Sequence, residues 1–353
     1  MNKNEYMAKL SAELRARRGD ESADGLLADF YEHFDEALRD GKSEEDVCLM
    51  LGDPAEIVAE YCEDVAADTA PPDDAGVFIS LAHMSLLCEP CDGDTFRVEI
   101  WRNNKVVRDD TIKVRQTQNS LHVIKMREQD LINYIFRAFR FREIVRVGIP
   151  RRICGDMTVK MSSGSVRINE IAISGDMTCN VSSGSIRMLH VATDQNLSVN
   201  SRSGSISIDS CSGELSVECH SGSIRVKSHK GNILRAASSS GTIRVEAAQI
   251  KKDCAITAKS GSIHAEFGLL EANLDIGCRS GSAKFIVREL KGNITGKISS
   301  GSIVGYLARD TRAVFLLQSA TIRNKFPNAV MPDSSVPVVN LTSRSGRVSV
   351  KEL

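Results

Sequence analysis

The sequence predicts a mainly β protein: a parallel β-solenoid of about ten 20-residue coils, carrying a small N-terminal α-helical bundle. Three observations predict it. A glycine-centred turn returns at near-constant spacing, apolar residues alternate within each repeat, and the acidic N-terminal stretch is patterned for helices.

The repeat runs from about residue 153 to the C-terminus. Glycines of a Ser-Gly-Ser/Thr motif stand at 164, 184, 204, 222, 241, 261, 281 and 301, with spacings of 20, 20, 18, 19, 20, 20 and 20. A degenerate copy follows at Ser319-Ala320-Thr321 and a last one at Ser345-Gly346-Arg347. Two residues after successive glycines come Val166, Ile186, Ile206, Ile224, Ile243, Ile263, Ala283 and Ile303. Seven before them come Met157, Met177, Leu197, Leu215, Leu234, Cys254, Leu274 and Ile294. Polar columns lie between these apolar ones, which is the period of a strand. One unit cannot bury its apolar face alone, so the units must stack. At about 4.8 Å per coil, ten coils make a rod on the order of 45–50 Å long. Its narrow interior suits Ile, Val and Leu better than rings, in keeping with the 5% aromatic content. Glycine supplies the positive φ each corner needs.

Residues 1–68 read as the helical head. Met7, Leu10 and Leu14 form one apolar stripe, and Leu27, Phe30, Tyr31, Phe34 and Leu38 a second. Gly41 stands where a helix ends, Ser43 with Glu44-Glu45-Asp46 caps the next, and Asp53-Pro54-Ala55-Glu56 opens a fourth after Gly52. His33 reads as a solvated histidine among acids. Residues 69–75 are a linker. Residues 76–152 are the irregular entry to the solenoid, with Phe96–Ile100 and Thr111–Val114 as its clearest strands. Leu131 to Phe141 reads as a short helix or loop, and Val145-Arg146-Val147-Gly148-Ile149-Pro150 leads into the regular array of 153–353.

Charge divides the chain. Residues 1–69 hold 7 Lys+Arg against 19 Asp+Glu, net −12, while the remainder holds 38 against 27, net +11. Two columns carry the basic excess. Three residues after the glycines stand Arg167, Arg187, Arg225, Arg244 and Lys284, and two before them Arg202, Lys259 and Arg279. Stacked like charges repel, so these columns belong on a solvated face or opposite negative charge. The eight residues are the candidate anion- or partner-binding face. The acidic head, an anionic polymer or a membrane surface would fit it. Nucleic acid is disfavoured, because no stacking aromatics interleave with the basic columns.

Enzyme chemistry finds little footing. No histidine or carboxylate recurs at a fixed offset to activate the serines, and no glycine-rich turn continues into a phosphate loop. Seven successive coils vary by at most two residues, which leaves no long arms to build a cleft. Cys88-Glu89-Pro90-Cys91 lacks the second ligand pair of a structural zinc site, and Cys179, Cys219, Cys254 and Cys278 fall in inward columns. No catalytic, cofactor or metal residue is therefore expected. The start of the chain has no secretory h-region and no stretch long enough to span a membrane. Ten cysteines in that setting suggest a reducing compartment, and the protein is expected to be cytoplasmic, free or peripheral to the membrane.

Two resemblances add to this reading. Phe30-Tyr31-Glu32-His33-Phe34, Gly41-Lys42-Ser43-Glu44-Glu45-Asp46 and Leu51-Gly52-Asp53-Pro54 resemble the HAAS-type helical signalling domain of bacteria. That resemblance implies a signalling role and a PadR-like transcription regulator as protein partner. The Val-Gly-Ile-Pro entry and serial Ser-Gly-Ser-Ile turns of residues 76–353 resemble the bacterial adhesin-type family of β-strand repeats, a domain of unknown function. The expected function is a non-enzymatic signalling or scaffold protein, with a head for regulator binding and a rigid interaction surface. The alternatives are an adhesin-like envelope structural protein and, less favoured, a polysaccharide-acting β-helix enzyme.

Overall fold

The computed structural model describes residues 2–18, 20–39, 41–51, 53–55, 58, 76–82, 84–125, 143–324 and 336–353. The expectations for 131–141 and for the linker at 69–75 lie outside these residues, as do most of the fourth helix and the side chain of His33.

Among the described residues, three helices run through the head: α1 (Lys3–Arg18), α2 (Asp20–Arg39) and α3 (Glu44–Leu51). Tyr6, Met7, Leu10, Leu14, Phe30 and Phe34 are buried together, as their spacing requires. At the end of α2, Gly41 takes φ +87°. The Gly41 amide donates to Leu38 and the Lys42 amide to Ala37, the paired bonds of a Schellman cap. Ser43 Oγ then accepts from the Asp46 amide at 3.1 Å and caps α3.

The remaining elements share one sheet: β1 (Gly76–Leu81), β2 (Ser85–Pro90), β3 (Arg97–Arg102), β4 (Lys105–Val107), β5 (Ile112–Gln116), β6 (Ser120–Lys125), β7 (Glu143–Ile149), β8 (Arg152–Ile153), β9 (Asp156–Asn169), β10 (Ala172–Ile173), β11 (Met177–Leu189), β12 (Ala192–Asp209), β13 (Ser212–Leu270), β14 (Asn273–Leu290), β15 (Ile294–Leu307), β16 (Val314–Gln318), β17 (Thr321–Asn324) and β18 (Val338–Glu352). From β9 onward the pairing is parallel and residues of one column face each other: Met157↔Met177↔Leu197↔Leu215, and Gly164↔Gly184. The extended run β13 passes through three of the glycine-centred corners, at Gly222, Gly241 and Gly261. The expected inward columns form one buried core that continues from Val77 to Val350. Cys179, Cys219, Cys254 and Cys278 are buried in it. The Cys219 thiol donates to the carbonyl of Gly204 at 3.5 Å, so it serves as both small hydrophobe and donor. Large rings need room made for them: a Cβ on Gly305 would strike the ring of Phe285.

The corner glycines do more than relax φ. Those from Gly164 to Gly301 have φ between +113° and +138°, and from Gly184 on a Cβ on any of them would run into the carbonyl oxygen of the glycine one coil earlier. The column is a stack of bare backbones, closed to every other residue.

The sheet as a whole is mixed, and sequence order fails at both ends. This corrects the expectation of parallel coils following one another. At the N-terminal end β1–β2 is inserted between β6–β7 and β9, so the Val-Gly-Ile-Pro segment does not adjoin the regular array. Antiparallel pairs β3–β4, β3–β7 and β5–β6 close that end. A buried ion cluster fixes them: Arg102 contacts Glu143 at 2.6 Å and Asp109 at 3.2 Å, and Lys125 reaches Glu143 at 3.5 Å. Lys105 of β4 and Lys113 and Arg115 of β5 are exposed at this end and resist further pairing.

At the C-terminal end β18 is inserted between β15 and the β16–β17 coil. Gly346 stacks on Gly301, and the degenerate copy lies outermost. Glycine chemistry decides the order. Gln318 pairs with Thr342 and Thr321 with Arg347, so the outer coil cuts the corner two residues short. Its Ala320 cannot take up the glycine turn, whereas Ser319 Oγ donates to the free Gly346 carbonyl at 2.8 Å and ends the column. Removing residues 315–353 would bare the whole β15 edge. The truncated chain is expected to aggregate in light scattering, and a monomeric product would contradict this capping role.

One buried group introduces pH dependence. His229 is fully buried in the column of Ile171, Val191 and Cys211. Its Nδ1 lies 2.9 Å from the Cys211 carbonyl, and Nε2 makes no hydrogen bond among the described residues. Burial holds its pKa below the ordinary histidine value, with the backbones of Cys211 and Ile233 acting the other way. The unfolded chain therefore binds the proton more tightly. Stability is complete above about pH 6.5 and is lost as the pH falls through the interval down to the folded value. Melting at pH 7.5 and 5.5 checks this. His229→Leu is expected to lose less Tm on acidification than the parent, and equal losses would contradict it.

Candidate functional site

Parallel stacking converts the spacing of basic residues into two files flanking the Ser-Gly-Ser corner. On the strand that leaves the corner, Arg167 pairs with Arg187, Arg187 with Ser207 and Ser207 with Arg225. His264 pairs with Lys284 further on. On the approach to the corner, Arg202, Lys259 and Arg279 are all exposed. The rows flanking Lys259 and Arg279 pair directly, Ala258 with Cys278 and Ser260 with Ser280, which places those two cations on successive coils. Strand alternation aims all eight residues away from the core. The structure thus brings the predicted residues together as two files, not one patch.

The first file reaches further than the spacing showed. Leu87 of β2 faces Arg167 on one side and Arg146 of β7 on the other. Arg146 therefore extends the file into the N-terminal cap, where its guanidinium lies 4.4 Å from the centre of the Trp101 ring. Arg146 is out of sequence order relative to β9, so no repeat period could reveal it.

The positive charge is unevenly distributed along this file. Arg244 Nε is 2.8 Å from Glu246 Oε1. Lys284 Nζ sits 5.0 Å from the centre of the Tyr306 ring. Desolvation, reinforced by Lys284 and Arg244, keeps the pKa of His264 below the usual value, so it is neutral at pH 7. Arg167, Arg187 and Arg225 are exposed and make no ion pair among the described residues. Arg146, like Lys284, is shielded by its ring and also faces Glu99 of β3, so the open field lies at Arg167, Arg187 and Arg225, on one half of the rod.

Other groups singled out in the sequence are placed apart from this face. Cys88 is buried in β2, and Cys91 just beyond it contacts the Thr95 carbonyl at 3.2 Å. Among the described residues no group of His, Cys, Asp and Glu has metal-binding geometry, and no helix is long and apolar enough to cross a membrane.

Residues 78–309 match the family model described as Toastrack DUF4097, and residues 5–60 match that of HAAS. The matches support the domain of unknown function and the helical domain ahead of it, and do not carry the adhesin reading with them. No curated protein and no solved structure matches the chain.

Proposed function

The chain belongs to the Toastrack DUF4097 family, and from that premise we propose that it is a non-enzymatic scaffold in which the helical head engages a protein regulator and the basic file engages an anionic partner. The two matched domains support a regulatory or scaffold role at the coarse level. The observation that carries the finer reading is the file of exposed, unpaired Arg167, Arg187 and Arg225, in register with Ser207 between the last two. Arg167 and Arg187, directly paired on rigid strands about 5 Å apart, raise one another's energy, and an opposing polyanion relieves that cost. A PadR-like regulator is the partner proposed for the head, and a cytoplasmic setting, free or at the membrane surface, suits both contacts. An adhesin-like envelope protein is the second reading, favoured only by the length of the repeat array.

Binding of the full chain to poly-glutamate and to vesicles containing anionic lipid tests the file. Arg167→Ser/Arg187→Ser/Arg225→Ser is expected to weaken binding by more than about tenfold at about 0.05 M salt. Arg244→Ser/Lys284→Ser, already neutralised or shielded, should weaken it only a few-fold. Equal effects from both variants would contradict the charge distribution, and unchanged binding by the triple variant would return the file to a solvated edge.

A further inference from the structure

The near-constant coil length suggested that no cleft could form, but shortening makes one where lengthening would not. The coils starting at Gly204 and Gly222 have 18 and 19 residues between flanking 20-residue coils. Both deletions fall at the corner opposite the Ser-Gly-Ser turn. Ala192 pairs with Ser212, yet Asn196 pairs with Glu214, so two residues are missing there. Asp194 and Gln195 on one side, and Gln249 and Lys251 on the other, overhang a cleft of about 600 Å³.

Coil geometry changes at the same place. Glu170, His190, Ser210 and Ser228 turn this corner with φ between +52° and +56°, and the residue next to each, ending with His229, points inward. From the following coil that turn disappears, and Ala247, Phe267, Val287 and Leu307 point inward one position earlier. The corner ladder breaks too. Asp156, Asp176, Asn273 and Asn293 each accept the backbone amide of the next coil at 2.8–3.0 Å. Glu214 and Ile233 occupy this column at the cleft, and no such bond crosses them.

We propose that this cleft is a binding site for a hydroxyl-rich ligand of the saccharide class. Its floor includes the backbone of Gly213 and Gly231, where a Cβ would strike the coil beneath. A Cβ on Gly231 would stand 2.7 Å from His229 Nε2, so the unpartnered, fully buried ring nitrogen lies directly under the floor. The side chains of Glu214, Lys230, Asn232 and Lys251 make no hydrogen bond or ion pair among the described residues. Together they offer both donors and acceptors, as hydroxyl groups require. Arg152 already pairs Asp194 at 2.9 Å, which leaves Glu214 beside Lys230 and Lys251 as the unpaired charges, and no aromatic or large apolar residue lines the cleft for a flat or greasy ligand. The amide of Asn232 and the carboxylate of Glu214 are the orienting groups.

Maltotriose, cellotriose and triacetylchitotriose, titrated into the full chain by ligand-observed saturation-transfer NMR and calorimetry, test the proposal. At least one is expected to bind saturably below about 10 mM, with Glu214→Ala and Asn232→Ala each weakening it about tenfold at unchanged Tm. Should either lose Tm, Lys251→Ala at its exposed position is expected to weaken binding several-fold. Arg187→Ser, on the basic file, should leave saccharide binding intact, so this site and the anionic one fail separately. No saturable response from the three sugars, or binding as tight in the cleft variants as in the parent, would overturn the assignment.

Discussion

Gly222→Ala is expected to leave the chain unable to stack its coils around residue 222. Two costs coincide at this position. The backbone has φ +135°, a conformation that costs an L-residue about 1–3 kcal/mol. The added methyl would also overlap the Gly204 carbonyl, which belongs to the backbone of the neighbouring coil and cannot rotate away. Relief requires the two coils to part, breaking the register that runs from Leu197↔Leu215 to Asp209↔Lys227. The total should exceed about 4 kcal/mol, the range of a severe single substitution. Thermal melts followed by far-ultraviolet circular dichroism would show a Tm lowered by many degrees or no cooperative transition. Gly277→Ala, where the nearest side-chain atom would be 3.5 Å away, should be tolerated. Similar melts for the two variants would mean that the corner column does not set the stacking.

The second large effect concerns the faces of the strand. Ile224 is 1% exposed and Ser207 stands outward between Arg187 and Arg225. Ile224→Asp puts a carboxylate in an interior with no cation, costing several kcal/mol even if it takes up a proton. Ser207→Asp places the same group between two arginines at the surface, worth about 0–1 kcal/mol of stabilisation. Unfolding in urea should show a collapse of the midpoint for the first and a level or slightly raised one for the second. Equal damage from both would mean that inward and outward columns are reversed.

The repeat was legible in the sequence because each column meets the same environment in every coil, so its chemistry recurs. The ends were not, because order there is set by which segment fits, not by which comes next. Ala320 breaks the glycine column, so β18 stacks in its place. The antiparallel cap left one overlooked signal. Asn103 and Asn104 take φ +49° and +64° between the paired Arg102 and Lys105, a two-residue hairpin turn that the Asn-Asn dipeptide favours. Of the candidate site, the eight cations were readable from spacing, but not their unequal strength. That depends on Glu246 beside Arg244 and Tyr306 beside Lys284, contacts made along and across strands. The cleft left only the 18- and 19-residue spacings as its trace.

The salt dependence of anion binding tests the central claim most directly. Binding of the full chain to poly-glutamate, titrated between about 0.05 and 0.5 M salt, should weaken steeply as the Debye length contracts. Arg167→Ser/Arg187→Ser/Arg225→Ser should flatten the plot of affinity against salt. Binding that persists at the upper salt limit, or a slope unaltered by the three substitutions, would contradict an electrostatic docking face on the solenoid.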